Sequence, residues 1–222
     1  MSRAAPALLL VVLLAACGGS SQASGKPGSI LVAALGDGIT AGAPGYYPDH
    51  GVRKLLGFGD NPGSQWEYWA QQADPRIAYR NCGVFRERTD QIARRLASCA
   101  RGANVLVIEG GDDDVRQGRP ITEAATNLAH MVVRAKQLGV KVELAQLIPW
   151  NNGWPQADPE IRALNARIDR IGRAEHVPVL PFYSTLDDPS HPGRMKDAWT
   201  ADGDYPSAIG YRRLGELAFH LP

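Results

Sequence analysis

The sequence predicts an α/β fold, a three-layer α/β/α sandwich around a five-stranded parallel sheet. Three observations carry this. Five short apolar runs alternate with amphipathic segments from Ile30 onward, and that alternation builds parallel sheets with helices on both faces. The run Asn104–Glu109, NVLVIE, is almost continuously apolar, as a strand buried on both faces must be. The first run, Ile30–Leu35, ends in Gly36-Asp37-Gly38. Turn-forming residues at the C-terminal end of a strand lie where open α/β sheets keep their sites.

The elements follow in order. Residues 1–16 are read as a secretory signal, with Arg3 as its positive start and an apolar run from Ala7 to Ala16. That run is shorter than the roughly 20 residues a membrane-spanning helix needs. Leu14-Ala15-Ala16-Cys17 resembles a bacterial lipobox, which implies cleavage before Cys17 and lipidation of that residue. Residues 17–29 then form a flexible Gly/Ser-rich linker. Residues 30–222 are one domain.

Within that domain the first strand is followed by a Gly/Pro/Asp-rich loop over Tyr46–Pro62, with a short helix near Val52–Leu56. Gln65–Gln72 reads as a helix, with Trp66 and Trp69 as core residues. Ile77–Cys82 is the second strand. Thr89 and Asp90 are candidate caps of a helix with Ile92, Leu96 and Cys99 on its apolar face, closed at Gly102. Asn104–Glu109 is the third strand. Pro120–Leu138 has helical spacing and stops at Gly139. Val140–Ile148 is the fourth strand. Asp158-Pro159 starts a helix with Ile161, Leu164, Ile168 and Ile171 inward. Val177–Phe182 is the fifth strand, and Ser207–Phe219 the last helix.

Four blocks in this frame resemble the SGNH (GDSL-like) hydrolases, a family of esterases and lipases. They are Gly36-Asp37-Gly38, the Gly83 of NCGVF, Gly111-Asp112-Asp113-Asp114, and Asp202-Gly203-Asp204-Tyr205 followed by Pro206 and Gly210-Tyr211. The resemblance implies a flavodoxin-like sheet of order 2-1-3-4-5. It also implies an acyl-transfer site of nucleophile, oxyanion donors, base and orienting acid. At three of the four residues that name the family this chain departs. Gly38 stands at the serine position and offers no nucleophile. Asp113 is aligned with the asparagine, and an ionised carboxylate accepts hydrogen bonds but donates none. Tyr205 is aligned with the histidine, and a phenol with an ordinary pKa of about 10 is a poor base. Gly83, an oxyanion donor in the family, and Asp202, the orienting acid, are retained.

Other residues at this edge of the sheet are candidates as well. Asp37, Asp114 and Asp202 have family counterparts that cap loops. Asp113 beside Asp202 could raise one carboxyl pKa by like-charge repulsion, activate water, or hold a hard cation such as calcium. Trp150, Asn151, Asn152 and Trp154, in the loop after the fourth strand, pair aromatic faces with amides, a combination that suits a glycan. Thr40 is a hydroxyl two residues past Gly38. His50 and His191 are loop histidines. No cofactor is expected.

The charge balance is 24 basic against 23 acidic residues, and reaches zero when Arg3 is removed. A neutral domain gives no support to nucleic-acid binding. The expected partners are the membrane, through Cys17, and a glycan or ester-type ligand. The expected location is the cell envelope outside the cytoplasm. Cys82 and Cys99 invite a disulfide in an exported protein. The predicted geometry resists it, because a helix starting level with the end of strand two would carry Cys99 about 15 Å down from Cys82.

Overall fold

The computed structural model describes residues 28–222. The signal segment, Cys17 and most of the linker lie outside the described residues. Strands β1 (Ile30–Gly36), β2 (Ile77–Gly83), β3 (Val105–Ile108), β4 (Lys141–Ala145) and β5 (Val179–Leu180) form one parallel sheet. The spatial order is β2-β1-β3-β4-β5, as the resemblance implies. Ala33 and Leu35 of β1 face one core, with Leu106, Ile108 and Leu144. Val32 and Ala34 face the other, with Val105, Val107 and Ala145. Side chains alternate along a strand, so one sheet with two apolar faces needs a helical layer on each.

One layer holds α4 (Thr89–Ala100), α6 (Ile121–Gln137) and α7 (Asp158–Glu175), whose Ile92, Leu96, Leu128, Leu164 and Ile168 line the first core. The other holds α3 (Trp66–Ala73), α8 (Phe182–Leu186) and α9 (Ala208–Arg213), which runs into a π turn over Leu214–Ala218. Trp66, Phe182, Tyr211 and Leu214 line the second core. The remaining helices are short: α1 (Gly38–Ala41), packed on β1 and β2, α2 (His50–Leu56), and α5 (Asp112–Arg116), packed on α6 and α7. Among the described residues no helix is long and apolar enough to cross a membrane.

Several expected boundaries move, each for a local reason. The fifth strand has two residues rather than six. Val179 and Leu180 pair only with Leu144 and Ala145. Pro178 and Pro181 bracket them and supply no N–H to extend a ladder. Phe182 therefore opens α8 instead of closing the strand. The fourth strand stops at Ala145 because the Asn165 amide takes over. Its Oδ1 accepts from the Leu147 N–H (2.8 Å) and its Nδ2 donates to the Leu147 carbonyl (3.0 Å). Arg88, not Thr89 or Asp90, is the N-cap of α4, and Thr89 is the first helical residue. Ala157 likewise precedes α7, with Asp158 as its first residue.

The disulfide is present. Cys82 and Cys99 are bridged, with Cα atoms 6.1 Å apart. The helix does not start level with the end of β2. Its first residue, Thr89, bonds Asp114 above the sheet edge. Six residues later the Arg95 guanidinium donates to the carbonyls of Cys82 and Gly36. Thus α4 descends past the end of β2 only in its second half. Its last turn arrives beside β2, where Arg80 donates to the Cys99 carbonyl at 2.9 Å.

Candidate functional site

The C-terminal ends of β1, β2 and β3 meet at Gly38. Asp37 caps α1, its Oδ1 accepting from the Ile39 N–H at 2.8 Å. Gly38 is buried, and a side chain there would require its neighbours to yield by a few tenths of an ångström. A Cβ built on Gly38 would lie 3.0 Å from Tyr205 Cε1, 3.1 Å from the Tyr205 hydroxyl oxygen and 3.2 Å from Phe85 Cδ2. The Tyr205 and Phe85 rings, centroids 6.2 Å apart, close over the glycine. Phe58 stacks edge-on against Phe85 at 5.0 Å and Tyr47 leans on Phe58 at 5.9 Å, so an aromatic row continues outward from Tyr205.

Gly83 lies against α1. A Cβ there would fall 2.5 Å from Ala41 Cα, so the residue is required by packing. Its N–H donates to Asn81 Oδ1 at 2.8 Å rather than to an open cavity. Asp202 turns back onto its own loop, where its Oδ1 accepts from the N–H groups of Asp204 and Tyr205, both at 2.9 Å. It is exposed and shares no hydrogen bond with Asp113. Asp114 holds Thr89, accepting from its N–H (2.8 Å) and hydroxyl (3.0 Å).

A cluster appears that the sequence reading did not assemble. The carboxylates of Asp37, Glu109 and Asp112 converge, with one oxygen from each lying within 4.8 Å of the others. All three are buried. Burial pushes the Asp37 and Asp112 carboxyls well above the carboxylate range, and the Glu109 charge adds to both. Burial also raises Glu109 itself, against hydrogen bonds from the Thr40 hydroxyl and the Asp37 N–H. Thr40, weighed above as a hydroxyl near the nucleophile position, donates to Glu109 Oε2 at 2.8 Å. Glu109 was read only as the last letter of an apolar strand. The available signal was a lone carboxylate ending NVLVIE at the site edge.

Asp113 sits one residue further along α5 and is also buried. Burial raises its carboxyl, opposed by Arg116 and Arg86. Arg116 was also missed, and it organises the rim. Its guanidinium lies 4.1 Å over the Trp150 ring and 5.7 Å from the Tyr205 ring centre. It pairs with Asp204 Oδ2 at 3.3 Å. Asp204 also accepts from Trp150 Nε1 at 2.6 Å and Asn152 Nδ2 at 2.8 Å. Burial pushes the Asp204 carboxyl up, but the Trp150, Arg116 and Asn152 donors outweigh it and leave it below its ordinary value. Burial raises the Tyr205 phenol, with Arg116 opposing, so it stays protonated at neutral pH.

The amides of the Trp/Asn loop are engaged within the protein. Asn151 exchanges two hydrogen bonds with the Met195 backbone, at 2.9 and 2.7 Å. Asn152 donates to the Asp202 carbonyl as well as to Asp204. Trp150 is pinned between Arg116 and Asp204. Of the four residues only Trp154 offers a free aromatic face, at 43% exposure. The Arg194 guanidinium lies 5.8 Å from it. Arg194 also lines a cavity of about 410 Å³ with Asp188, His191, Met195, Lys196 and Asp197.

His50 opens α2 on the surface. His191 makes the only side-chain hydrogen bond by a histidine among the described residues, to Asp188 at 3.0 Å. No serine, threonine or cysteine among them bonds a histidine.

The profile of GDSL-like lipases and acylhydrolases matches residues 34–213. The chain belongs to that family. The matched span runs from the end of β1 to the end of α9, and so includes all four blocks. No curated protein sequence matches the chain significantly. Among solved structures, the family member is similar to a G-D-S-L family protein from Desulfitobacterium hafniense DCB-2. That match has TM-score 0.69 and 20% identity, over 85% of this chain and 97% of that one. A lipase/acylhydrolase from Enterococcus faecalis matches at TM-score 0.63 and 23% identity, over 84% and 91% of the two chains. Axe2, an acetylxylan esterase from Geobacillus stearothermophilus, matches at TM-score 0.63 and 16% identity, over 87% and 95%. At these identities the structural neighbours establish a common fold.

Proposed function

We propose that this GDSL-family protein binds a glycan or ester-type ligand without hydrolysing it. One observation carries the reading: position 38 is a glycine with the Tyr205 phenol and the Phe85 ring packed 3.0–3.2 Å from where its Cβ would stand. Acyl transfer needs a nucleophile with a base in hydrogen-bond reach. Gly38 supplies no such atom, and the group over it is a phenol raised further from neutrality by burial. The Gly83 N–H is engaged by Asn81, which removes a donor from the oxyanion position.

The proposed ligand face lies on the loops that carry Trp154 and Arg194. Trp154, Arg194 and the cavity around Lys196 and His191 combine an exposed indole with cationic groups, and aromatic faces with polar rims suit sugars. A structural neighbour acting on acetylxylan agrees with that ligand class. The chain works in the cell envelope, tethered to a membrane through lipidated Cys17 and its linker.

The test is an ester assay on the purified protein and on a repaired one. Native protein should give no turnover of short acyl esters above background. The repaired protein carries Gly38→Ser and Tyr205→His, with asparagine placed at Asp112 in one version and Asp113 in another, since both carboxylates border the centre. Measurable turnover in either version supports the reading. Native turnover that a serine-directed fluorophosphonate abolishes would sink it.

A further inference from the structure

Three elements each deliver one carboxylate to a single point beside Gly36. Asp37 comes from the cap of α1, Glu109 from the end of β3, and Asp112 from the first position of α5. Their exposures are 1%, 2% and 4%. Two of the three have one oxygen held in place. Asp37 Oδ1 accepts from Ile39, and Glu109 Oε2 accepts from the Thr40 hydroxyl at 2.8 Å and the Asp37 N–H at 3.3 Å.

A second observation is independent of their being acidic. Asp37 Oδ2, Glu109 Oε1 and Asp112 Oδ2 are buried and have no hydrogen-bond partner among the described residues. None of the three side chains forms an ion pair with a described residue either. Buried polar atoms are nearly always satisfied, and buried charges are paired or coordinate metals. Glu109 meets both Asp37 and Asp112 at hydrogen-bonding range, so without a cation these oxygens are satisfied only by protons shared between carboxyls.

We propose that Asp37, Glu109 and Asp112 form a binding site for a hard divalent cation of calcium type. The spacing fits. One oxygen from each lies within 4.8 Å of the others, and a cation with oxygen ligands at about 2.4 Å spans at most about twice that. An all-oxygen donor set selects hard cations over soft ones. Magnesium demands shorter contacts of about 2.1 Å and keeps several waters, which suits a buried carboxylate cage less well. The Thr40 hydroxyl and the backbone donors hold Glu109 and Asp37 in orientation, as outer partners of metal ligands do. The ion would tie the ends of β1 and β3 to α5. This site is separate from the Trp154 face, and its existence does not depend on whether the protein hydrolyses esters.

The test uses the full chain, first stripped with EDTA. Calcium is titrated to about 10 mM, a range that covers weak extracellular sites, with magnesium and manganese in parallel. The melting temperature should rise saturably by several degrees, most with calcium. Calorimetry in two buffers of different ionisation enthalpy should show proton release, because ligands must ionise to bind. Asp112→Asn and Glu109→Gln should each weaken binding roughly tenfold or more, a loss of about 1.4 kcal/mol, while Asp113→Asn should not. If those two variants fail to fold, calcium displacement of terbium luminescence from the native protein carries the test. No saturable shift with any of the cations, or an equal shift in Asp112→Asn, overturns the proposal.

Discussion

The burial of Glu67 should make the domain lose stability as pH rises from acid to alkali. Glu67 sits in the first turn of α3 at 1% exposure, with only its own backbone N–H opposing the cost of burying its carboxylate. Burial pushes its carboxyl from the ordinary 4.5 up to about 8, with the Glu109 charge adding to the effect. Between those values the native state keeps a proton that the unfolded chain has released. Stability therefore falls as pH rises, fully retained below 4.5 and fully lost above about 8. At about 1.4 kcal/mol per pH unit, the gap from 4.5 to about 8 corresponds to roughly 5 kcal/mol. That is comparable with the whole stability of many domains.

The perturbation is Glu67→Gln, which keeps the shape of the protonated acid and removes the titration. Urea denaturation at about pH 5.5 and about pH 8.5 should show the native protein losing about 3 to 4 kcal/mol more than the variant over that interval. Other buried acids, such as Glu143 raised by burial to about 7, contribute to both proteins, so the difference between the two isolates Glu67. Equal pH slopes in native and variant would refute the reasoning, and so would a native protein more stable at the higher pH.

Three further outcomes follow from the geometry. Gly38→Ser alone should destabilise by about 1–3 kcal/mol through overpacking against Tyr205 and Phe85. Tyr205→Ala should relieve that cost, which a double-mutant cycle in chemical denaturation would read as a coupling of the two sites. Asn165→Ala should cost about 1–3 kcal/mol, because the Leu147 N–H and carbonyl lose the amide that satisfies them at the end of β4. Reduction of the Cys82–Cys99 bridge should lower stability by about 3 kcal/mol, the closure entropy of a loop with 17-residue separation. Mass spectrometry on alkylated samples checks that the bond was present and then opened.

The elements themselves were readable because their signals are local. Apolar periodicity, Gly139 after α6 and the runs of buried strand residues state their own conformation. Element ends were less legible when a distant residue set them. The fourth strand ends where Asn165, eighteen residues on, captures Leu147. The bridge between Cys82 and Cys99 was judged from helix length alone, whereas the height at which α4 enters is set by Thr89 meeting Asp114. The amides of Asn151 and Asn152 looked available for a ligand, and only the folded positions of Met195, Asp202 and Asp204 show them engaged.

The sequence by itself determined the architecture, the strand that leads into Gly38 and the residue types at each block. It could do so because backbone conformation and burial pattern are written in neighbours a few positions apart. Only the tertiary structure decided what those residues do to one another. It laid Tyr205 over Gly38 and turned Asp202 onto its own loop. It also drew Glu109 and Asp112 in beside Asp37. Side-chain chemistry depends on distance and on the exclusion of water. Both are properties of surfaces meeting across more than seventy residues of chain, and no local pattern records them.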